Sequence, residues 1–129
     1  MSKYLISIVD DDESFREAMT SLMKSLGFAV DAFQSAEQFL ASPSLDSTSC
    51  LIADYNMPGA TGLELHRQLV DSGHMIPVIL VTAYPDETVK ARALAAGVIC
   101  YLGKTFDDVA LLDQIRTALM QTSRAERRV

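Results

Sequence analysis

Four apolar runs in this chain end on side chains that could do chemistry together. "YLISIV" (Tyr4–Val9) runs directly into Asp10, Asp11, Asp12 and Glu13, and "CLIAD" (Cys50–Asp54) closes on Asp54. "PVILVT" (Pro77–Thr82) closes on Thr82 with Ala83 after it, and "VICYL" (Val98–Leu102) leads to Gly103 and Lys104. Carboxylates crowded within a few ångströms are either partly protonated or neutralised by a cation. Hard oxygen ligands partly open to solvent suit Mg²⁺, or a similar divalent cation such as Mn²⁺, which keeps several waters and shares its sphere with phosphoryl groups. A carboxylate beside such an ion can attack phosphorus and form an aspartyl phosphate. The equatorial oxygens then need donors and positive charge, which Thr82 and Lys104 could supply, and the small Ala83 leaves them room. Polar residues often follow strands because loops face water. That explanation suffices for Thr82 or Lys104 alone, but not for four strand ends at once.

The elements that must position these groups are legible as apolar runs alternating with helical patterns. Tyr4–Val9 is β-branched and apolar throughout, as a strand buried on both faces would be. From Ser14 to Leu26 the apolar positions Phe15, Met19, Leu22 and Leu26 recur at helical spacing, and Gly27 ends the helix. Phe28–Phe33 reads as a second strand, and Ser35 as the cap of a short helix holding Ala36, Phe39 and Leu40 that Pro43 stops. Cys50–Asp54 is a third strand, Asn56–Gly62 a loop, and Leu63–Val70 a helix broken by Gly73. After the strand Pro77–Thr82, Pro85 suits the first turn of a helix, with Asp86 and Glu87 at its positive end. That helix continues through Ala93 and Leu94 to Gly97, ahead of the strand Val98–Leu102. A last helix carries Val109, Leu112, Ile115 and Leu119 on one face, and the basic segment "TSRAERRV" shows no pattern, as a tail or linker would. Five strands alternating with five helices predict an α/β fold, a doubly wound parallel sheet with helices on both faces. In such sheets function collects at the carboxyl ends of the strands.

Composition narrows the class. The 129 residues suit one domain, with 49% apolar and 22% charged residues, an ordinary globular balance. A net charge of −6 argues against a nucleic-acid surface in this segment. No run approaches the ~18 apolar residues that would mark a bilayer span, and Met1-Ser2-Lys3 does not begin a signal peptide. A cytoplasmic location without membrane contact is the expectation. Cys50 and Cys100 lack CxxC spacing and read as buried thiols in a reducing compartment; His66 and His74 read as surface residues.

In order and spacing, "IVDDDE", "LIADYNMPGATGLEL", "VTAY" and "CYLGK" resemble the receiver domain of two-component response regulators, most closely FixJ-like receivers. The resemblance covers residues 3–120, leaving 121–129 as the tail, and implies the flavodoxin/CheY-like (βα)5 strand order 2-1-3-4-5. It implies that Asp54 is the phospho-acceptor, Asp11 the direct metal ligand, and Asp10 a ligand acting largely through water. Asn56 would offer its backbone carbonyl to the metal, Thr82 and Lys104 would contact the phosphoryl group, and Tyr101 would change rotamer on activation. Asn56, Ala83 and Tyr84 would tune how fast water reaches that group, with Tyr84 shielding it. Asp12 and Glu13 match no such role and read as helix-start acids. The partners implied are a sensor histidine kinase and a second copy through the surface of the fourth helix, fifth strand and fifth helix. DNA would be reached only through an output domain.

One position departs from the family pattern: Lys104 precedes Thr105 where receivers usually carry proline. A cis bond before a non-proline residue costs about 2.5–4 kcal/mol, so a trans bond is expected. A mobile loop is expected too, with Lys104 fully engaged only once phosphate or metal is present. A haloacid-dehalogenase-like phosphatase would need a second acid two residues after Asp54, where Asn56 stands. A receiver that works without phosphorylation, as an interaction module, is the remaining alternative.

Overall fold

The computed structural model describes residues 4–127, and the side chains of that range up to residue 121. The expectation about Met1–Lys3 and the last two residues of the basic tail lie outside the described residues. The elements are β1 (Leu5–Val9), α1 (Glu13–Ser25), β2 (Ala29–Phe33), α2 (Ala36–Leu40), a 3₁₀ turn (Pro43–Ser47) and β3 (Cys50–Asp54). They continue with α3 (Gly62–Asp71), β4 (Val78–Thr82), α4 (Glu87–Ala95), β5 (Cys100–Gly103) and α5 (Asp108–Arg127). The sheet is parallel throughout in the order β2-β1-β3-β4-β5, as expected.

Side-chain alternation along the strands splits the core into two layers. Ile6, Ile8, Ile52, Ile79 and Val81 face α1 and α5, where Met19, Met23, Leu111 and Ile115 cover them. Val9, Leu51, Ala53 and Leu80 face the other way, against Phe39, Leu65, Leu69 and Ala93 of α2, α3 and α4. Register then fixes the rim. Val9 pairs with Ala53, Asp54 with Val81, and Thr82 with Gly103. The residues after β1, at the end of β3 and β4, and after β5 therefore arrive side by side.

Local sequence sets the helix ends. Asp12 is the N-cap of α1 and accepts from the Phe15 N–H, so its acid serves the helix start. Ser35 caps α2, and Thr61 with Glu64 forms a reciprocal capping box at α3. Gly27 takes the positive φ of 93° that ends α1.

Several expectations are corrected. Pro85 stands before α4, because Asp86 takes the cap by accepting from the Val89 N–H. The buried face of α5 is Leu111, Ile115, Ala118 and Leu119; Val109 is 64% exposed, since the sheet meets the helix about half a turn away from it. Helix α5 also runs on to Arg127, into the segment where no regular element was expected. His66 is buried rather than on the surface, its ring lying under Gly97, and burial lowers its pKa. His74 Nε2 meets Asp46 at 3.1 Å and its Nδ1 meets the Ser72 hydroxyl at 3.1 Å, tying two loops together. Cys50 is buried, which pushes its thiol up to about 12, whereas Cys100 is only half-buried.

Candidate functional site

Asp10, Asp11 and Asp54 each offer a carboxylate oxygen, and the three oxygens lie within 4.8 Å of one another. Asp10 and Asp54 are buried and Asp11 is exposed, so the cluster has an inner wall and an open mouth. Asp10 Oδ1 accepts the Asp12 N–H at 2.8 Å, and the Asp10 carbonyl accepts from Arg16 Nη1 at 2.7 Å. Asp54 Oδ1 accepts the Asn56 N–H at 3.1 Å.

Lys104 closes the site from β5. Its Nζ stands 3.0 Å from Asp10 Oδ2 and 3.4 Å from Asp54 Oδ2. Its backbone N–H donates to the Thr82 carbonyl at 2.7 Å, and the peptide bond to Thr105 is trans, as expected. Lys104 thus reaches both acids although Thr105 follows it. Two carboxylates in a poorly hydrated pocket attract the ammonium strongly enough to hold it there. Burial acts to lower the Lys104 pKa, but Asp10 and Asp54 outweigh it and the ammonium is held above its ordinary value.

Asp54 shows the opposite balance. Burial, and then the charge of Asp10, push its carboxyl from 3.8 up to about 6 against the pull of the Asn56 N–H and Lys104. The crowding anticipated from the sequence is thus real and incompletely relieved. Asp10 Oδ2 is buried without a well-directed hydrogen bond, Lys104 being near but off-axis. A buried carboxylate oxygen short of a donor, beside two more carboxylates and an open mouth, fits a small hard cation.

Thr82 is fully buried at the end of β4, and its hydroxyl oxygen accepts from Asn56 Nδ2 and the Tyr84 N–H, both at 3.1 Å. Tyr101 is buried with its hydroxyl accepting the Asp86 N–H at 3.1 Å, so it contacts the start of α4. Ala83 is exposed beside the site. The Tyr84 side chain is 79% exposed, and this arrangement does not have it packed as a cover. Sequence reasoning missed three neighbours. Arg16 and Phe15 read only as helix positions, and Gly62 read as the end of a loop. No spacing signal distinguishes the first two; Gly62 is marked by close approach, since a Cβ there would lie 2.6 Å from the Asp54 carbonyl oxygen. A separate groove of about 560 Å³ runs between α3 and α4, lined by Tyr55, His66, Arg67 and Arg92 among others; its lining does not include the three acids.

Comparison with known proteins agrees with this geometry. The family model described as "Response regulator receiver domain" matches residues 6–116. The response regulator protein TodT of Pseudomonas putida is 38% identical over 115 residues, 89% of this chain and 51% of TodT. The transcriptional regulatory protein FixJ of Rhizobium meliloti is 36% identical over 118 residues, 92% of this chain and 58% of FixJ. The crystal structure of FixJ-N superposes with a TM-score of 0.83 at 36% identity, covering 93% of this chain and 96% of that one. The chain thus spans little more than half the length of these two regulators. From Ile6 to Arg116, with its acids at the rim of a 2-1-3-4-5 sheet, the chain belongs to the receiver domains of two-component response regulators.

Proposed function

We propose that Asp54 accepts a phosphoryl group and that the chain works as a switch set by this charge. A receiver implies a sensor kinase as partner, and the donor on this reading is a kinase phosphohistidine. An ionised Asp54 oxygen forms a bond to phosphorus while the phosphorus–nitrogen bond breaks and the departing imidazole takes up a proton. Lys104, already at the acids, neutralises charge on the incoming oxygens. The Thr82 hydroxyl, whose oxygen accepts two N–H groups, keeps its own proton to donate. Asp11 and Asp54, with the Asn56 carbonyl and with Asp10 through water, would hold Mg²⁺ or Mn²⁺. The ion would supply the positive charge that lets anionic nucleophile and phosphoryl group approach.

The observation that carries this reading is the meeting of three carboxylates with the Lys104 ammonium at one sheet edge. Incubation with acetyl phosphate and Mg²⁺ is expected to add the mass of one phosphoryl group, an addition prevented when EDTA is present from the start and mapped to Asp54 by borohydride reduction. No adduct, or an adduct elsewhere, would refute it. A phosphatase reading is disfavoured because Asn56 cannot serve as acid and base. An interaction module independent of phosphorylation is disfavoured because Lys104 lies against Asp10 and Asp54 despite Thr105.

The output on this reading is the α4-β5-α5 surface. Tyr101 joins it to the site by bonding the Asp86 N–H, and a charge drawing Thr82 inward would disturb that contact. A second copy docking there belongs to this reading, and control of transcription through a further domain is suggested by the likeness to FixJ, a transcriptional regulatory protein of which the chain covers 58%. The setting is cytoplasmic, where histidine kinases present phosphoryl groups; among the described residues no helix is long and apolar enough to cross a membrane. Because the Tyr84 ring is 79% exposed, Tyr84→Ala is expected to change the adduct's half-life by less than about twofold, far short of the ~100-fold that removing a real stabilising donor can cost. A tenfold shorter half-life would restore the shielding role.

A further inference from the structure

Phe15 has no part in the chemistry so far, yet Lys104 Nζ stands 4.5 Å from the centroid of its ring. The ring belongs to the first turn of α1 and is half-buried. Phe106, two residues beyond Lys104, meets the same ring edge-on, with centroids 6.2 Å apart and planes at 84°. The connection from β5 to α5 is also closed by a turn, the Phe106 N–H donating to the Gly103 carbonyl at 3.1 Å.

A lysine side chain has four rotatable bonds, and fixing it opposes any catalytic use of its charge. Thr105, unlike a proline, does not fix the backbone dihedral after Lys104. Asp10 and Asp54 attract the ammonium, but they do not fix the path of the side chain that carries it. We propose that Phe15 is a positioning residue for Lys104: its ring face holds the ammonium beside Asp10 and Asp54, and Phe106 ties the β5–α5 connection to that ring. Attraction between a cation and a ring face is larger where water is excluded, and the Lys104 side chain is only 15% exposed. The ammonium has carboxylates and a π face as neighbours, so each limits its escape from the other. This inference rests on the phosphoryl-acceptor reading for its purpose but not for its geometry.

The test uses the whole chain with Mg²⁺ and the variants Phe15→Leu and Phe15→Tyr. Leucine keeps apolar volume without a ring, whereas tyrosine keeps the ring. In the unaltered chain the Lys104 Cε protons are expected upfield of ordinary lysine in the NMR spectrum, shielded by the ring face. Phe15→Leu should return them to ordinary positions and slow phosphoryl uptake from acetyl phosphate about fivefold, while Phe15→Tyr restores both. A purely structural Phe15 would lower the melting temperature and move neither readout. Ordinary Lys104 shifts in the unaltered chain, or a Phe15→Leu protein with upfield shifts or an unchanged rate, would overturn the proposal. If the unaltered chain takes up no phosphoryl group, the acceptor reading fails, and the shift comparison still decides whether Phe15 places Lys104.

Discussion

Asp54→Asn is expected to abolish the phosphoryl adduct and, in the same protein, to raise stability by about 2 kcal/mol above pH 7 in EDTA. Both effects come from removing one carboxylate: the amide is no nucleophile toward phosphorus, and it carries no charge to bury. Asp54 is buried beside Asp10, which raises its pKa from 3.8 to about 6. A carboxyl raised on folding adds stability that is fully present below its unfolded pKa and lost as pH rises through the folded one. In the unaltered chain this contribution is therefore present below about pH 4 and gone above about pH 6. Full conversion of that shift, which is already net of the Lys104 attraction, would give about 3 kcal/mol; asparagine does not reproduce every contact of a protonated carboxyl, which brings the figure down. Asparagine does not ionise, so the advantage of Asp54→Asn should be constant above pH 7 and shrink as pH falls from 6 to 4. Urea unfolding of both proteins across that range checks it. Stability equal at neutral pH, or an advantage that grows with acid, would show that the crowding is already relieved. Added Mg²⁺ should narrow the gap from the other side, since a ligand bound only by the folded unaltered chain stabilises it in proportion to its occupancy.

Gly62→Ala should destabilise the protein by about 3 kcal/mol, lowering its melting temperature by about 10 °C. An added Cβ would lie 2.6 Å from the Asp54 carbonyl oxygen, 2.7 Å from Leu80 Cδ2 and 3.1 Å from the Asp54 carbonyl carbon. Two of these are backbone atoms at the end of the central strand, so relief requires moving β3 or the start of α3. The Gly62 N–H also donates to the Tyr55 carbonyl at 3.0 Å, which keeps the two segments close. Movement of β3 there displaces Asp54, so phosphoryl uptake should fall together with stability. Thermal melts and the acetyl phosphate assay on one preparation test both. A melting temperature within about 2 °C of the unaltered chain would mean that α3 shifts freely.

Much of this was legible because a parallel sheet writes itself plainly into sequence. Strands buried on both faces must be apolar throughout, so Cys50–Asp54 was bounded correctly and β4 to within one residue. The end of α1 followed from Gly27. What stayed hidden depends on contacts between distant elements. Val109 and Leu112 match a helical stripe as well as Leu111 and Ala118 do, and only the sheet's position chooses between them. His66 looks polar in sequence but shares a helix face with Leu65 and Leu69, which buries it. The acids, Thr82 and Lys104 were recognisable as candidates by their strand ends. That Lys104 already pairs with Asp10 was not, because loop composition suggested mobility while the charges of two other strands decide it.

The side-by-side arrival of strand ends has a consequence for when the protein can first respond. Ile6 pairs with Cys50, Leu51 with Val78, and Ile79 with Cys100, so each group at the rim is delivered by pairing that is distant along the chain. Such pairing forms slowly, because loops must close before contacts stabilise them. A chain still being synthesised carries Asp10 and Asp54 long before Lys104 exists to join them. Local opening of β5, an edge strand, would likewise remove the ammonium and leave the acids behind. On the proposed acceptor reading, competence to receive a signal would thus be a property of the completed sheet, and a kinase testing Asp54 would in effect be inspecting the fold.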